Sequence, residues 1–306
     1  MNHVNVAVIG FGHLGQWHAE KVEQSSHAKL KFIIEPFEQN ALKAKEKFPH
    51  VKVIADYQQI IDEVDAFIVV TPTSTHYSIS RNLLEKNKHV FCEKPICATM
   101  EEAKKLFQLY QQQPQPVFQV GHSERCHQIW QDFQVPTAPY LIRILRAGVF
   151  KNRALDVPVT SDLAIHDIDL IHYLTRSRVK SVQAFAVKSR GKEYDTVSIH
   201  GDLDNEARFE IFCTRDSLIE RRQWEIFHHK GTEYIDLMTC QRQSTTGDSD
   251  SYQKRDHLAL QQDSFYQSIL SGQDVYVSMR EAIDALAVIE AIHGSIEKQS
   301  SQRVNY

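Results

Sequence analysis

Three ionisable residues, Lys94, Asp162 and His166, stand in settings suited to proton transfer at a hydroxyl. In Asp162-Leu163-Ala164-Ile165-His166-Asp167-Ile168-Asp169 the four-residue spacing puts Asp162 and His166 on one face of an expected helix, with Asp169 a turn further on. An imidazole there can take a hydroxyl proton, and a carboxylate beside it fixes its orientation and raises its basicity. A solvated acidic helix would use the same residue types. Leu163, Ile165, Ile168, Leu170 and Ile171 are apolar enough to bury the segment, however, and buried charges need partners or a role. Lys94 follows the apolar run Phe91-Cys92 in Glu93-Lys94-Pro95. A strand-end lysine is often only an exposed cation; at the ligand-binding edge of a sheet it can stabilise a developing alkoxide.

Oxidation of such a hydroxyl needs a hydride acceptor, and the sequence offers a place for one. The apolar run Val6 to Ile9 leads into Gly10-Phe11-Gly12-His13-Leu14-Gly15, a GxGxxG between an expected strand and an expected helix. Its glycines permit a tight turn and close approach of backbone to a pyrophosphate, which the unpaired N–H groups of the helix start attract. Glu35 ends the next apolar run about twenty residues on, where a carboxylate accepts hydrogen bonds from ribose hydroxyls. It repels a 2′-phosphate, and Pro36 and Phe37 bring no cation, so the sequence favours NAD over NADP. The fourth apolar run ends in Thr71-Pro72-Thr73-Ser74-Thr75-His76. Thr71, Pro72 and His76 are therefore candidate cofactor contacts, as are Glu93 and Lys94, although turn chemistry alone accounts for a proline there.

The elements that must position these residues are legible as two grammars. Over residues 1–121, strand-like runs at 4–9, 30–34, 51–54, 66–70, 89–92 and 117–120 alternate with helical segments near 13–25, 38–47, 57–63, 75–87 and 99–112. That is an α/β class pattern, a doubly wound parallel sheet in an N-terminal Rossmann domain. Thr99 and Glu102 form a capping box for the last helix, which the Gln/Pro stretch 111–116 ends. Over residues 122–306 a helix at 161–175 is followed by strand-like runs at 181–188, 195–201, 206–213, 222–228 and 233–238, joined by an earlier run at 140–147. This predicts an α+β domain with a large open, mostly antiparallel sheet for substrate binding and assembly. Residues 239–255 read as a polar loop, and helices at 256–271 and 278–298 close the chain. An open sheet needs cover on its second face, so a homodimer or homotetramer through this sheet is expected.

Bulk properties narrow the partners. A chain of 306 residues is long enough for two cores, and a formal net charge of −4 gives no global attraction for nucleic acid or anionic lipid. No run approaches the roughly 20 apolar residues that span a bilayer, and no charged leader precedes the first strand, so a cytoplasmic protein acting on a small molecule is expected. Five cysteines without CxxC spacing read as reduced thiols. With 16 histidines, presence alone says little, and position singles out His166, His122 and His76.

The glycine turn, the Thr71-Pro72 to His76 segment, Glu93-Lys94-Pro95 and the Asp162 to Asp169 segment, in this order, resemble the glucose-fructose oxidoreductase, inositol dehydrogenase and MocA family over nearly the whole chain. The resemblance implies Lys94, Asp162 and His166 as the catalytic group of a dehydrogenase, and a Rossmann domain joined to an open-faced sheet domain. Gly121-His122-Ser123-Glu124-Arg125 and Asp156-Val157-Pro158-Val159 resemble the sugar-nucleotide branch, UDP-N-acetylglucosamine 3-dehydrogenases included, and imply His122, Arg125, Arg153 and Asp169 as substrate contacts. Where that pattern continues as RFNP this chain has Arg125-Cys126-His127-Gln128, so contacts near the substrate differ. Arg143, Arg146, Lys151 and Arg153 either clamp a diphosphate or are solvated strand charges. The substrate is then a sugar or nucleotide sugar, with inositols and free sugars as alternatives. A non-catalytic NAD-binding sensor and a metal-dependent hydrolase using His122, Asp162 and His166 are the rivals of other classes; no metal is expected.

Overall fold

A computed structural model describes residues 3–112, 114, 116–135, 141–151 and 157–306. In chain order its elements are β1 (Val4–Ile9), α1 (His13–Gln24), β2 (Ala28–Ile34), α2 (Glu38–Lys47), β3 (Lys52–Ile54), β4 (Ala66–Val69), α3 (His76–Glu85), β5 (His89–Glu93), α4 (Met100–Gln112), β6 (Phe118–Gly121), α5 (Gln128–Asp132), β7 (Leu141–Val149), α6 (Ile165–Thr175), β8 (Val179–Val187), β9 (Thr196–Leu203), β10 (Arg208–Ser217), β11 (Arg221–His228), β12 (Gly231–Asp236), β13 (Gln241–Ser244), β14 (Ser249–Ser251), α7 (His257–Ser271), α8 (Met279–Lys298) and β15 (Gln302–Arg303). They form two compact units, Met1–Ser123 with Asp256–Ile283, and Glu124–Arg255 with Asp284–Tyr306.

The first unit carries a six-stranded parallel sheet in the order β3-β2-β1-β4-β5-β6. The strand order reverses between β1 and β4, which places a crevice at the carboxyl ends of these strands. Strands β1 and β4 are almost wholly buried, as expected of parallel strands covered on both faces by helices. The capping box at α4 takes a displaced form: Thr99 Oγ1 accepts the Glu102 N–H at 3.2 Å, but Glu102 reaches the Ala98 N–H, one residue before the expected partner. Residues 57–63 form a 3-10 helix, Tyr57–Glu63, whose start is capped by Asp56 accepting the Gln58 N–H.

The expected single cut at residues 121 and 122 gives way to a discontinuous unit. Helix α7 belongs with the parallel sheet because Phe265 and Tyr266 are fully buried in its core, with Phe265 set edge-on to Phe91 at 5.9 Å between ring centroids. Helical periodicity at 256–271 identifies the element but carries no information about which core it fills.

In the second unit the sheet runs β14-β13-β12-β11-β7-β10-β9-β8-β15, antiparallel throughout except for the parallel pair β7 and β10. Two strands, β13 and β14, form a hairpin inside the segment read as a loop; its polar residues leave no apolar alternation, and both strands are largely exposed. Helix α6 is preceded by a π turn, Thr160–Ala164, instead of continuing as α-helix to residue 161. Its buried residues are Ile165, Ile168, Leu170 and Ile171 together with the carboxylates Asp167 and Asp169. Row by row across β8, β9 and β10, Phe185, Ser198 and Phe212 stand opposite one another on the open face, with Phe185 59% and Phe212 45% exposed.

Candidate active site

The first site is a cavity of about 640 Å³ at the carboxyl ends of the parallel strands. Gly10, Gly12, His13, Leu14 and Gly15 form one wall, Glu35, Pro36, Phe37 and Asn40 another, and Thr71, Pro72 and Thr75 a third. Gly10 has φ +96°, and a Cβ there would lie 2.6 Å from the Val70 carbonyl oxygen; a Cβ on Gly15 would lie 2.1 Å from that of Gly10. These two glycines build the turn. Gly12 differs, because a Cβ there meets no atom within 4 Å and would project into open space. The helix α1 it starts has no side-chain cap, which leaves its first N–H groups for an anion.

Glu35 is buried at 5% exposure, with one carboxylate oxygen accepting the Phe11 N–H at 2.8 Å and the other the Phe37 N–H at 2.9 Å. Each oxygen retains a lone pair for a ribose hydroxyl. Phe11 itself sends its ring into the core against Phe48, so only its backbone belongs to the site. Phe37, Asn40, Ala55, Tyr57 and Ile79 also line the cavity and were not singled out by spacing. The signal for Phe37 is its place two residues after Glu35.

His76 and Glu93, expected as cofactor contacts, point elsewhere. His76 is 1% exposed, and its ring nitrogens lie 2.8 Å from the Pro95 carbonyl oxygen and 2.9 Å from that of Thr71. It ties the turn after β4 to the turn after β5, and burial pushes its pKa down. Glu93 is buried beside His18, Nε2 to Oε1 at 2.9 Å, and its other oxygen accepts the Lys94 N–H at 3.2 Å. Burial alone would raise its pKa; the His18 hydrogen bond and the Lys94 charge outweigh that and hold the carboxyl below its ordinary range. Lys94, half-buried, follows directly on β5.

The second group lies in the other unit. Asp162 is half-buried in the π turn and lines a small cavity with Gly148, Phe150, Leu163, Arg215 and Arg222. His166 is half-buried in the first turn of α6. The α-helical spacing argument for this pair thus fails before Ile165, where the wider turn intervenes; π turns of this kind recur at functional sites. His122, which belongs to the first unit, is 2% exposed just after β6.

Arg125 and Asp169, expected to touch substrate, pair with each other in a buried bidentate ion pair at 2.8 and 2.6 Å, and the guanidinium lies over Tyr173. Arg146 likewise pairs with Asp167 at 2.6 and 2.8 Å, fastening α6 to β7. Glu124 joins this cluster, accepting from Arg222 at 2.7 Å with Arg146 at 3.4 Å. Burial raises its pKa less than the Arg146, His127 and Arg222 interactions lower it, so the carboxyl sits well below its usual range. Arg143 pairs with Glu210 and Glu225, and Lys151 with Glu220. Arg153 lies outside the described residues. Among the described residues no group of three or more His, Cys, Asp or Glu side chains stands ready to hold a metal ion.

Comparison with known proteins matches both units. Residues 4–122 match an oxidoreductase family's NAD-binding Rossmann fold, and residues 133–233 match the GFO/IDH/MocA C-terminal domain. The UDP-N-acetylglucosamine 3-dehydrogenase of Acidithiobacillus ferrooxidans is 31% identical over 242 residues, covering 78% of this chain and 75% of that one. A crystal form of that enzyme superimposes with a TM-score of 0.91 at 26% identity, covering 97% of this chain and 99% of the other. The scyllo-inositol 2-dehydrogenase (NAD(+)) of Bacillus subtilis is 28% identical over 192 residues, 58% of this chain and 56% of its own.

Proposed function

The chain belongs to the glucose-fructose oxidoreductase, inositol dehydrogenase and MocA family of oxidoreductases, and from that premise we propose that it oxidises a secondary alcohol on a sugar ring, a UDP-N-acetylglucosamine-like nucleotide sugar foremost. The observation that carries the dehydrogenase reading is the glycine turn opening on a cavity walled by Glu35, with free space at Gly12 where a pyrophosphate needs it. Gly10 to Gly15, Glu35, Thr71 and Pro72 would hold the dinucleotide, which supplies the hydride acceptor. The Glu35 carboxylate, with no cation beside it in Pro36 or Phe37, favours NAD over NADP.

By the family resemblance, His166 takes the hydroxyl proton with Asp162 as its orienting carboxylate, and Lys94 stabilises the developing oxyanion. His122 contributes to the substrate contacts; Arg125 and Asp169 act through their ion pair, by fixing α6, and not as direct ligands. The open face bearing Phe185, Val187 and Phe212 supports a homo-oligomer assembled through the sheet. A place in the cytoplasm is part of this reading; among the described residues no helix is long and apolar enough to cross a membrane.

One observation favours a second substrate class. The cations around Asp162 are matched by carboxylates, Arg146 by Asp167, Arg215 by Asp195, Arg222 by Glu124 and Lys151 by Glu220, which suits an uncharged inositol or free sugar better than a diphosphate. NADH formation with UDP-N-acetylglucosamine, scyllo-inositol, myo-inositol and free hexoses, beside NADP controls, separates the readings. Turnover of the nucleotide sugar alone supports the first; turnover of inositols alone replaces it with the second. Tight NAD binding without turnover across the panel would favour a sensor.

A further inference from the structure

Behind the Glu93-Lys94-Pro95 turn runs a buried polar chain that the proposed reaction does not use. The Tyr266 hydroxyl donates to Gln262 Oε1 at 3.0 Å, Gln262 Nε2 donates to His18 Nδ1 at 2.8 Å, and His18 Nε2 meets Glu93 Oε1 at 2.9 Å. The remaining Glu93 oxygen accepts the Lys94 N–H at 3.2 Å. Every direction in this chain is fixed. The Gln262 amide nitrogen also donates to the His18 carbonyl oxygen at 3.2 Å, which orients the amide; a donor facing Nδ1 makes that nitrogen the acceptor, so Nε2 carries the proton given to Glu93. Gly121 on β6 leaves the room, since a Cβ there would lie 2.6 Å from Glu93 Oε1.

The four side chains come from α7, α1 and the end of β5, all in the first unit, and all are buried. Burying four polar groups is costly unless each is satisfied, and filling the site with apolar side chains would avoid that cost. Satisfying one another accounts for Tyr266, Gln262 and His18; it does not account for a carboxylate aimed at the backbone of Lys94. We propose that Glu93, His18 and Gln262 are positioning residues that fix the Lys94 backbone, and through it the placement of the ammonium, and that they are not ligands of cofactor or substrate. This inference rests on the reading of Lys94 as the oxyanion stabiliser.

The test uses the full-length protein, NAD, and whichever of UDP-N-acetylglucosamine and scyllo-inositol the wild type turns over. His18→Leu removes the donor to Glu93 and should lower kcat by roughly 10- to 100-fold, the scale of misplacing one catalytic group, with KM and calorimetric NAD affinity within about threefold of wild type. His18→Gln, whose amide nitrogen can occupy the Nε2 position, should recover most of that loss. In single-turnover assays His18→Leu should cost nothing further once Lys94→Met is present, because a residue that acts through Lys94 has nothing left to act on. Full kcat in folded His18→Leu, or losses that multiply with those of Lys94→Met, would overturn the inference while leaving the proposed function intact. Near-normal turnover in Lys94→Met, or no turnover of either compound by the wild type, would instead overturn the reading beneath it. Should His18→Leu fail to fold, Gln262→Leu, which leaves the His18 to Glu93 contact in place but unoriented, carries the same coupling test with a smaller expected loss of about threefold to tenfold.

Discussion

At the scale of single residues, types announced roles that only partners could assign. Gly10, Gly12 and Gly15 were legible together as a phosphate-binding turn, yet they do different work: two prevent backbone collisions, and Gly12 alone faces open space. Gly12→Val should therefore fold, because its backbone at φ −69° and ψ −166° suits a β-branched residue. The added methyls would occupy the volume that a pyrophosphate needs. Thermal unfolding within a few degrees of wild type, with NAD binding undetectable by calorimetry, is the expected pair of results; unchanged NAD affinity would sink the assignment of the turn. The same contrast separates the ionisable residues that sequence singles out. His76, Glu93, Arg125 and Asp169 stand out in the sequence, but an ionisable residue in an apolar stretch is unusual both when it binds a ligand and when it is paired inside the protein. Charge and spacing do not separate these cases, because the partners lie 5 and 19 residues away for His76, 75 for Glu93 and 44 for Arg125.

At the scale of elements, the parallel strands were legible to within two residues because each holds an apolar run bounded by turns, most plainly in the buried strands β1 and β4. The β13 and β14 hairpin and the two-residue β15 were not, since exposed or very short strands leave no periodicity. The π turn before α6 was equally invisible: it changes hydrogen bonding without changing which residue types are apolar. Helix α6 carries a pH response at its other end. His172 Nε2 accepts the Val179 N–H at 3.3 Å with the Tyr306 hydroxyl 3.2 Å away, and burial pushes the imidazole down to about 4. In the unfolded chain a histidine binds its proton near pH 6.5, so between these values the unfolded state holds more protons than the folded one. The stability contributed by neutral His172 is complete above about pH 6.5 and is lost as the pH falls toward 4. Denaturant unfolding at pH 7 and pH 5 should show roughly 1–2 kcal/mol of this loss. His172→Gln, which keeps an acceptor but does not titrate, should flatten that part of the profile; an unchanged slope would remove His172 as its source.

At the scale of the whole molecule, the chain does not divide where its grammar changes. The change near residue 121 is real in sequence, but the parallel-sheet unit is completed only by residues 256–283, which follow the large sheet. Two contributions make that return structural. Phe265 and Tyr266 fill the core beside Phe91, and the Val277 carbonyl oxygen accepts the Val120 N–H at 3.1 Å while Gln119 bonds the Gln261 carbonyl oxygen at 2.6 Å. Removing two buried aromatic side chains forfeits on the order of 5 kcal/mol or more of apolar burial, a loss comparable to the whole stability of an ordinary domain. A polypeptide of residues 1–123 should consequently be expanded, bind a hydrophobic dye and hold NAD weakly. The same residues joined through a short glycine-serine linker to residues 256–283 should unfold cooperatively and regain NAD affinity, because the linker restores α7 to its core without supplying any part of the second sheet. If residues 1–123 alone unfold cooperatively and bind NAD as the full chain does, then α7 merely decorates a unit that the N-terminal segment specifies unaided, and the buried chain from Tyr266 to Glu93 loses its claim to shape the cofactor end of the sheet.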